Sequence, residues 1–103
     1  MDALRVVAEP RRREILRLVW DEERTAGDIA SQFEVTFGAI SQHLAVLRGA
    51  GLVRTRRAGN RIYYWADRDR LGPLRAVLEA MWAGVLDHLA ETIERDRHEE
   101  DAP

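Results

Sequence analysis

The middle of the chain predicts one amphipathic helix. Ile40, Leu44 and Leu47 stand at positions i, i+4 and i+7, so a helix places them on one stripe that faces a core. Thr36 is a favourable N-cap residue and Gly51 a favourable helix stop. The face opposite the stripe then carries only small and uncharged side chains, which are Gly38, Ser41, Gln42, Ala45 and Gly49.

A helix face of this kind can approach another molecule closely. The hydroxyl and amide groups of Ser41 and Gln42 match the donors and acceptors on base edges, and small neighbours let a helix enter a major groove. A helix packed on both sides inside a domain explains the small residues equally well. The residues that follow the helix favour the first interpretation.

Residues 52–66 predict a β-hairpin, because two runs of β-branched and aromatic residues flank an Ala-Gly-Asn turn. Four arginines lie near the predicted tip, namely Arg54, Arg56, Arg57 and Arg61. A helix with a small polar face, followed directly by a cationic hairpin, indicates a winged helix-turn-helix.

Three shorter helices are predicted before this region. The first spans Asp2–Ala8 with Leu4 and Val7 as its apolar positions, and the second begins at Pro10, where a missing N–H costs nothing. Its expected buried stripe is Ile15, Leu18 and Val19, and its arginines 11–13 are interpreted as a solvated first turn.

The third helix is predicted from a capping-box pattern, in which Thr25 is followed by Asp28 in place of the usual glutamate. It extends to about Phe33, with Ile29, Ala30 and Phe33 on its inner face. Together with the helix that follows Thr36 it forms a predicted helix-turn-helix pair.

A long apolar helix is predicted from Pro73 to about Arg95. It carries more apolar surface than a helix at the edge of a small domain can bury by itself, so we expect a second copy of the chain to cover it. The alternative is that this helix closes the core of its own domain. We expect residues 1–95 to form one DNA-binding and dimerisation domain and residues 96–103 a disordered acidic tail. The predicted seam comprises Leu74, Leu78, Met81, Val85 and Leu89, widened by Val77, Trp82, Leu86 and Ile93.

Charge is distributed unevenly along a chain whose formal net charge is −2. Residues 36–66 hold five arginines and no acidic residue, whereas residues 67–103 sum to −5 and residues 1–35 to −2. Because the local field follows local charge, the basic segment fits an anionic partner despite the acidic total.

Composition excludes several classes of function. With no cysteine there is neither a disulfide nor a thiolate site, and the absence of a signal peptide or apolar span predicts a cytoplasmic protein that does not contact membranes. An enzyme is not expected, because Ser41 and His43 are two positions apart on one helix and therefore face apart.

The sequence resembles the ArsR/SmtB family of winged helix-turn-helix repressors over Leu4 to about Ile93. The matching segments are Glu9–Leu16, Thr25–Ala30, Ile40–Leu47, Ala50–Val53, and Arg56–Arg61 with Tyr64. The resemblance implies a mostly α fold with a β-hairpin wing, element order ααααββα, and a homodimer formed through the first and last helices, with Leu4 and Val7 in that interface.

The resemblance also implies which residues contact double-stranded DNA. The matching recognition-helix positions are Phe37, Gly38, Ser41 and Gln42, with His43 in the family's His-Leu pair, and the wing residues Arg57 and Arg61 are expected at the backbone or minor groove. Phe37 and Gly38 depart from the residues common there, so a different operator sequence is expected. For His43, packing or phosphate contact is favoured over catalysis.

Many members of the family release DNA when metal binds, but this sequence departs from both of the usual sites. It has no cysteine, and Asp87 and His88 are adjacent where the family has Asp-x-His, so their side chains point about 100° apart. We therefore expect no cofactor and no metal site, and a homodimeric repressor of the metal-independent branch that binds an inverted-repeat operator. The alternatives are a metal-responsive repressor that uses Asp87, His88 or His98, and a winged-helix protein-interaction module.

Overall fold

The computed structural model describes residues 2–84 and 91–95, and the chain divides into two compact units, Met1–Gly72 and Pro73–Pro103. The described elements of the first unit are α1 (Ala3–Ala8), α2 (Pro10–Leu18), β1 (Arg24–Thr25), α3 (Ala26–Ala30), α4 (Phe37–Gly49), β2 (Val53–Ala58), β3 (Arg61–Ala66) and a 3₁₀ turn (Arg68–Leu71). The second unit contains α5 (Leu74–Trp82), and residues 91–95 are helical.

This order confirms the predicted fold class, a mostly helical winged helix-turn-helix in the sequence ααααββα. Two elements were not predicted: the two-residue strand β1 and the 3₁₀ turn after β3. Both are too short to produce a periodic pattern, and β1 forms only through its pairing with β3.

A single apolar core lies between α1, α2, α3, α4 and the start of β2. Its fully buried members are Val6, Ile15, Leu16, Val19, Ile29, Ile40, Leu47 and Leu52, all at 0% exposure. The predicted stripe of α4 is confirmed, whereas that of α2 is partly wrong because Leu16 is buried and Leu18 only half-buried. Leu16 and Leu18 lie on opposite sides of the stripe formed by Ile15 and Val19. The neighbouring elements therefore decide which of the two leucines enters the core.

The first helix, predicted with Leu4 and Val7 as its apolar positions, buries one residue that was not predicted, Val6. Val6 and Val7 are its buried residues, and Leu4 is 58% exposed.

The arginines at the start of α2 are not a solvated turn, which corrects the prediction. Arg12 Nε donates to the Val6 carbonyl at 2.7 Å, and Arg13 donates to the carbonyls of Val7 and Ala8 at 2.9 Å each. These carbonyls end α1 and lack helical partners, so the two guanidinium groups cap that helix. The third arginine, Arg11, stacks 4.9 Å from the centre of the Phe33 ring.

The sheet is antiparallel with strand order β1-β3-β2. Ala58 pairs with Arg61, so the hairpin loop consists of Gly59 and Asn60 alone. Gly59 has φ +63° and Asn60 does not have a positive φ, the arrangement expected when glycine occupies the first position of a type II′ turn. The predicted Ala-Gly-Asn turn is confirmed.

The prediction of one continuous helix from Pro73 to about Arg95 is wrong. α5 ends at Trp82, and Gly84 follows with φ +76°. Apolar spacing continues across this position, but glycine weakens a helix interior and readily adopts the left-handed conformation that ends one. Residues 85–90, which include the predicted seam positions Val85 and Leu89, lie outside the described part of the chain.

Candidate nucleic-acid interface

The helix α4 is fixed at both ends by local hydrogen bonds. The Thr36 hydroxyl accepts from the Ala39 amide at 3.1 Å, as an N-cap should. At the other end the Leu52 amide donates to the Leu47 carbonyl and the Gly51 amide to that of Arg48, both at 2.9 Å, with Gly51 at φ +77°. This is a Schellman motif, and it leads directly from the helix into the wing.

The outer face of α4 is exposed as predicted. Gly38, Ser41, Gln42, Ala45 and Gly49 are all exposed, and Phe37, the first residue of the helix, retains 56% of its accessible surface. With α3 and the connecting residues it forms the helix-turn-helix, and the stripe of Ile40, Leu44 and Leu47 holds this face outward. These residues are uncharged and place donors and acceptors close to the backbone, and the exposed Arg48 lies beside Ala45 and Gly49.

His43 lies apart from this surface. Its side chain is 24% exposed, and Nδ1 lies 4.0 Å from Oε2 of Glu9, whose same oxygen accepts from the Arg12 amide at the start of α2. The imidazole therefore faces the junction of α2 and α4, which favours the predicted packing role over a direct contact with DNA.

Three of the four wing arginines, Arg54, Arg57 and Arg61, have no ion-pair or hydrogen-bond partner among residues 2–84 and 91–95. Of these, Arg57 and Arg61 belong to the predicted DNA-contacting set, and both are exposed. Arg57 pairs across the hairpin with Ile62, and Arg61 stands at the turn. Both cations are therefore available to an anionic ligand.

Arg56 is engaged within the protein, a contact that the sequence did not reveal. It donates from Nε to Oε2 of Glu23 at 2.8 Å and from a second nitrogen to Oε1, and its guanidinium stacks 4.6 Å from the centre of the Tyr63 ring. The hydrogen bonds from Arg56, together with its positive charge, hold the pKa of Glu23 below its ordinary value of 4.5. The same hydrogen bonds and the negative charge of Glu23 raise the pKa of Arg56. This contact fastens β2 to the residues before β1.

Replacing Glu23 by glutamine is expected to lower stability near neutral pH but not in acid. Because the pKa of Glu23 is lower in the folded than in the unfolded protein, its ionised form stabilises the fold above pH 4.5, and this contribution is lost as the pH falls through the folded-state pKa. The free energy of unfolding of the native protein and of Glu23→Gln should therefore converge between about pH 7 and about pH 3. Urea unfolding followed by circular dichroism measures both.

Glu22→Gln is the matched control, because Glu22 is 73% exposed and, among the described residues, is paired with Arg24 alone, at 3.5 Å. The pair with Arg56 does not carry the effect if the free energies of unfolding of the native protein and Glu23→Gln differ by the same amount at every pH. The same conclusion follows if Glu22→Gln shows the same convergence with the native protein as Glu23→Gln.

A cleft of about 410 Å³ separates α4 from the wing. It is lined by Phe37 and Ser41 of α4, by Thr25, Ala26 and Gly27 at the start of α3, and by Asn60, Arg61, Ile62 and Tyr64 of the hairpin. Of the four hairpin residues that line this cleft, only Arg61 belongs to the predicted DNA-contacting set. The alternation of side chains along β3 gave no reason to select Ile62, because the position of the wing beside α4 is a tertiary feature.

A second cleft, of about 440 Å³, continues along the other half of α4. Ser41 and Tyr64 line both clefts, and Arg48 lies in the second one with Leu44, Ala45 and Gly49. The two clefts together follow α4 from Phe37 to Gly49 on the side that carries Ser41, with Arg61 lining the first cleft and Arg48 the second.

The predicted dimer residues divide into four groups. Leu4 and Met81 are exposed, at 58% and 39%, whereas Val7 and Leu78 are already buried within one chain, at 5% and 2%. Leu74 and Trp82 are half-buried, Ile93 is 51% exposed, and Val85, Leu86 and Leu89 lie in residues 85–90, outside the described part of the chain. Additional exposed apolar surface is present at Val77, at 49%.

Within residues 2–84 and 91–95, no group of three or more His, Cys, Asp or Glu side chains is placed to hold a metal ion. The candidate ligands Asp87, His88 and His98 lie outside those ranges. None of the described helices combines the length and hydropathy needed to cross a bilayer.

Comparison with known proteins identifies the family. Residues 9–55 match the sequence profile of the bacterial regulatory proteins of the arsR family. The transcriptional activator HlyU of Vibrio cholerae is 41% identical over 79 residues, which cover 77% of this chain and 73% of HlyU. The transcriptional repressor SdpR of Bacillus subtilis is 38% identical over 63 residues, covering 61% of this chain and 70% of SdpR.

Solved structures agree with this comparison. A possible transcriptional regulator for arsenical resistance superposes with a TM-score of 0.69 at 41% identity, covering 89% of this chain and 96% of that one. A homodimeric winged helix-turn-helix DNA-binding domain from Mycobacterium bovis superposes with a TM-score of 0.68 at 31% identity, covering 82% and 78%. These relatives are regulators and not enzymes, as the sequence predicted. The chain belongs to the ArsR family of bacterial transcriptional regulators.

Proposed function

We propose that this protein is a cytoplasmic, homodimeric repressor that binds an inverted-repeat operator without sensing metal. The observation that carries the proposal is the exposed face of α4 formed by Gly38, Ser41, Gln42, Ala45 and Gly49, together with the wing cations Arg57 and Arg61, which have no partner among the described residues. A helix with such a face suits the major groove, and free guanidinium groups beside it suit phosphate. In this proposal Ser41, Gln42, Gly38 and Phe37 contact base edges, and Arg57 and Arg61 contact the backbone.

The homodimer is supported by exposed apolar side chains on α1 and α5 and by the homodimeric relative from Mycobacterium bovis. Leu4, Val77 and Met81 leave apolar surface in water that a partner copy would cover. Two copies related by a two-fold axis would present two recognition helices to successive major grooves. Binding there would deny polymerase access to the promoter.

Binding of the purified protein to DNA tests this function. The duplex upstream of its own coding sequence is compared with a scrambled duplex at two salt concentrations, with and without a chelator. We expect tight, sequence-dependent binding that weakens with salt and ignores the chelator. Binding no better than to the scrambled duplex, followed by a failed genome-wide search, would favour a protein-interaction module, and loss with chelator would favour a metal-responsive regulator.

Transcription in vitro from the bound promoter then gives the direction of regulation. Repression is expected, because the proposed operator overlaps the polymerase site. Stimulation of transcription would instead assign the role that the name of HlyU describes.

A further inference from the structure

The aromatic side chain at the start of α4 is in an unusual environment. All seven aromatic residues of the chain lie in the described part, and six of them are buried or half-buried. Phe37 is the exception, with 56% of its surface accessible to water. A large apolar ring in water is unfavourable by about 25 cal/mol for each Å² that it leaves uncovered.

The fold itself does not require this ring. The N-cap of α4 is supplied by Thr36, and the core contacts of the helix come from Ile40, Leu44 and Leu47. A polar residue at position 37 would complete the helix equally well. The ring is therefore positioned for a molecule outside the chain.

The surroundings of Phe37 define the chemistry of that molecule. Across the 410 Å³ cleft lie Ile62, which is 42% exposed, and the unpaired cation Arg61; Ser41 lies on the near wall. A molecule that binds here therefore needs an apolar group next to Phe37 and an anionic group next to the wing. No acidic residue occurs between positions 36 and 66, which disfavours a cationic or zwitterionic partner surface.

Double-stranded DNA presents both features at the required places. Its phosphates lie along the rim of the major groove, and the 5-methyl group of thymine is the apolar group that base pairs display inside it. Residues at the N-terminus of a recognition helix are the ones that reach base edges, and Phe37 is the first residue of α4.

We propose that Phe37 is a specificity-determining residue that recognises a thymine through its 5-methyl group. This inference rests on the proposed function, because it requires α4 to enter the major groove. Phe37 supplies apolar contact to the methyl group, and Ser41 and Gln42 hydrogen-bond to the base pairs farther along the helix. The operator therefore contains a thymine at an equivalent position in each half-site.

The test replaces thymine by deoxyuridine, which lacks only the methyl group. Duplexes that bind the native protein are first selected from a random-sequence pool, which should yield a thymine at one position of each half-site. Deoxyuridine at that position should weaken binding about 4-fold per half-site, which corresponds to burial of one methyl group, roughly 0.8 kcal/mol. Substitution in both half-sites should give about a 16-fold loss.

Phe37→Ala should bind the thymine and deoxyuridine duplexes equally, with the slope of affinity against salt unchanged. Since the ring is exposed, this variant should fold, and its thermal unfolding confirms that. Val35→Ala is the matched control, because Val35 is an exposed apolar residue, 36% accessible, just before the helix. Deoxyuridine at a thymine elsewhere in the duplex is the control for the DNA.

Three outcomes overturn the inference. If the native protein binds the thymine and deoxyuridine duplexes with equal affinity, Phe37 does not contact the methyl group. This holds even if Phe37→Ala weakens binding, because a ring inserted between base pairs would also contribute affinity without contacting the methyl group. If Phe37→Ala still binds the thymine duplex more tightly than the deoxyuridine duplex, another residue contacts the methyl group. Enrichment of no sequence at all overturns the proposed function, whereas enrichment without thymine overturns this inference alone.

Discussion

The double variant Arg57→Ala/Arg61→Ala is expected to bind all DNA sequences more weakly and to lose much of the salt dependence of binding. Both guanidinium groups are exposed and unpaired within the described residues, so each is free to contact a phosphate. A dimer would lose about four phosphate contacts, and each contributes about 0.9 to the slope of log affinity against log salt. The slope should fall by about 3.6, and affinity at 0.15 M salt on the order of 10³-fold.

Sequence preference should remain in that variant, because phosphate contacts position the protein without reading bases. Gln42→Ala should behave in the opposite way, with a relaxed preference among base pairs and an unchanged salt slope. Fluorescence anisotropy with specific and scrambled duplexes at several salt concentrations measures both quantities. The two variants therefore separate the wing from the recognition helix.

Arg5→Ala/Arg17→Ala is the matched control, since it removes the same charge from exposed positions on α1 and α2. If this control lowers the slope as much as the wing variant, the effect is one of total charge. If the wing variant and Gln42→Ala lose sequence discrimination equally, the proposed division between wing and helix is wrong.

Replacing Leu47 by alanine is expected to destabilise the fold by about 2–5 kcal/mol. Leu47 is fully buried, and its carbonyl accepts the Leu52 amide in the motif that ends α4. Truncation removes apolar contacts and leaves a cavity between α4 and the rest of the core. Since a domain of this size is stable by about 5–15 kcal/mol, the loss is a large part of the total.

Urea unfolding followed by circular dichroism at fixed protein concentration measures this change; the fixed concentration matters because association stabilises the folded state. Gln42→Ala again serves as the control, since it lies on the exposed face of the same helix and should alter stability by less than about 0.5 kcal/mol. A loss below about 1 kcal/mol for Leu47→Ala would mean that the α4 stripe does not form the core.

The helix α4 illustrates how much local sequence can determine. The N-cap at Thr36, the buried stripe and the stop at Gly51 all depend on groups within a few residues of one another, so the sequence predicts them directly. The hairpin turn at Gly59 is local in the same sense. These features, with the segments shared with the ArsR family, were sufficient to predict the fold class and the surface proposed to read DNA.

The roles of individual arginines could not be predicted in this way. Arg56 and Arg57 are adjacent and chemically identical, yet Arg56 is held by Glu23, 33 residues earlier in the chain, while Arg57 has no partner in residues 2–84 or 91–95. Likewise, Arg12 and Arg13 cap a helix that they do not belong to. A long flexible side chain gives no local signal of its partner.

By itself, then, the sequence determined α4 with its exposed face and the hairpin, because hydrophobic periodicity, capping and turn residues act over one or two turns of chain. The tertiary structure alone decided which arginines remain free, that His43 faces Glu9, and that Ile62 stands across a cleft from Phe37. Those outcomes depend on contacts between segments that are far apart in the sequence, and no local pattern encodes such contacts.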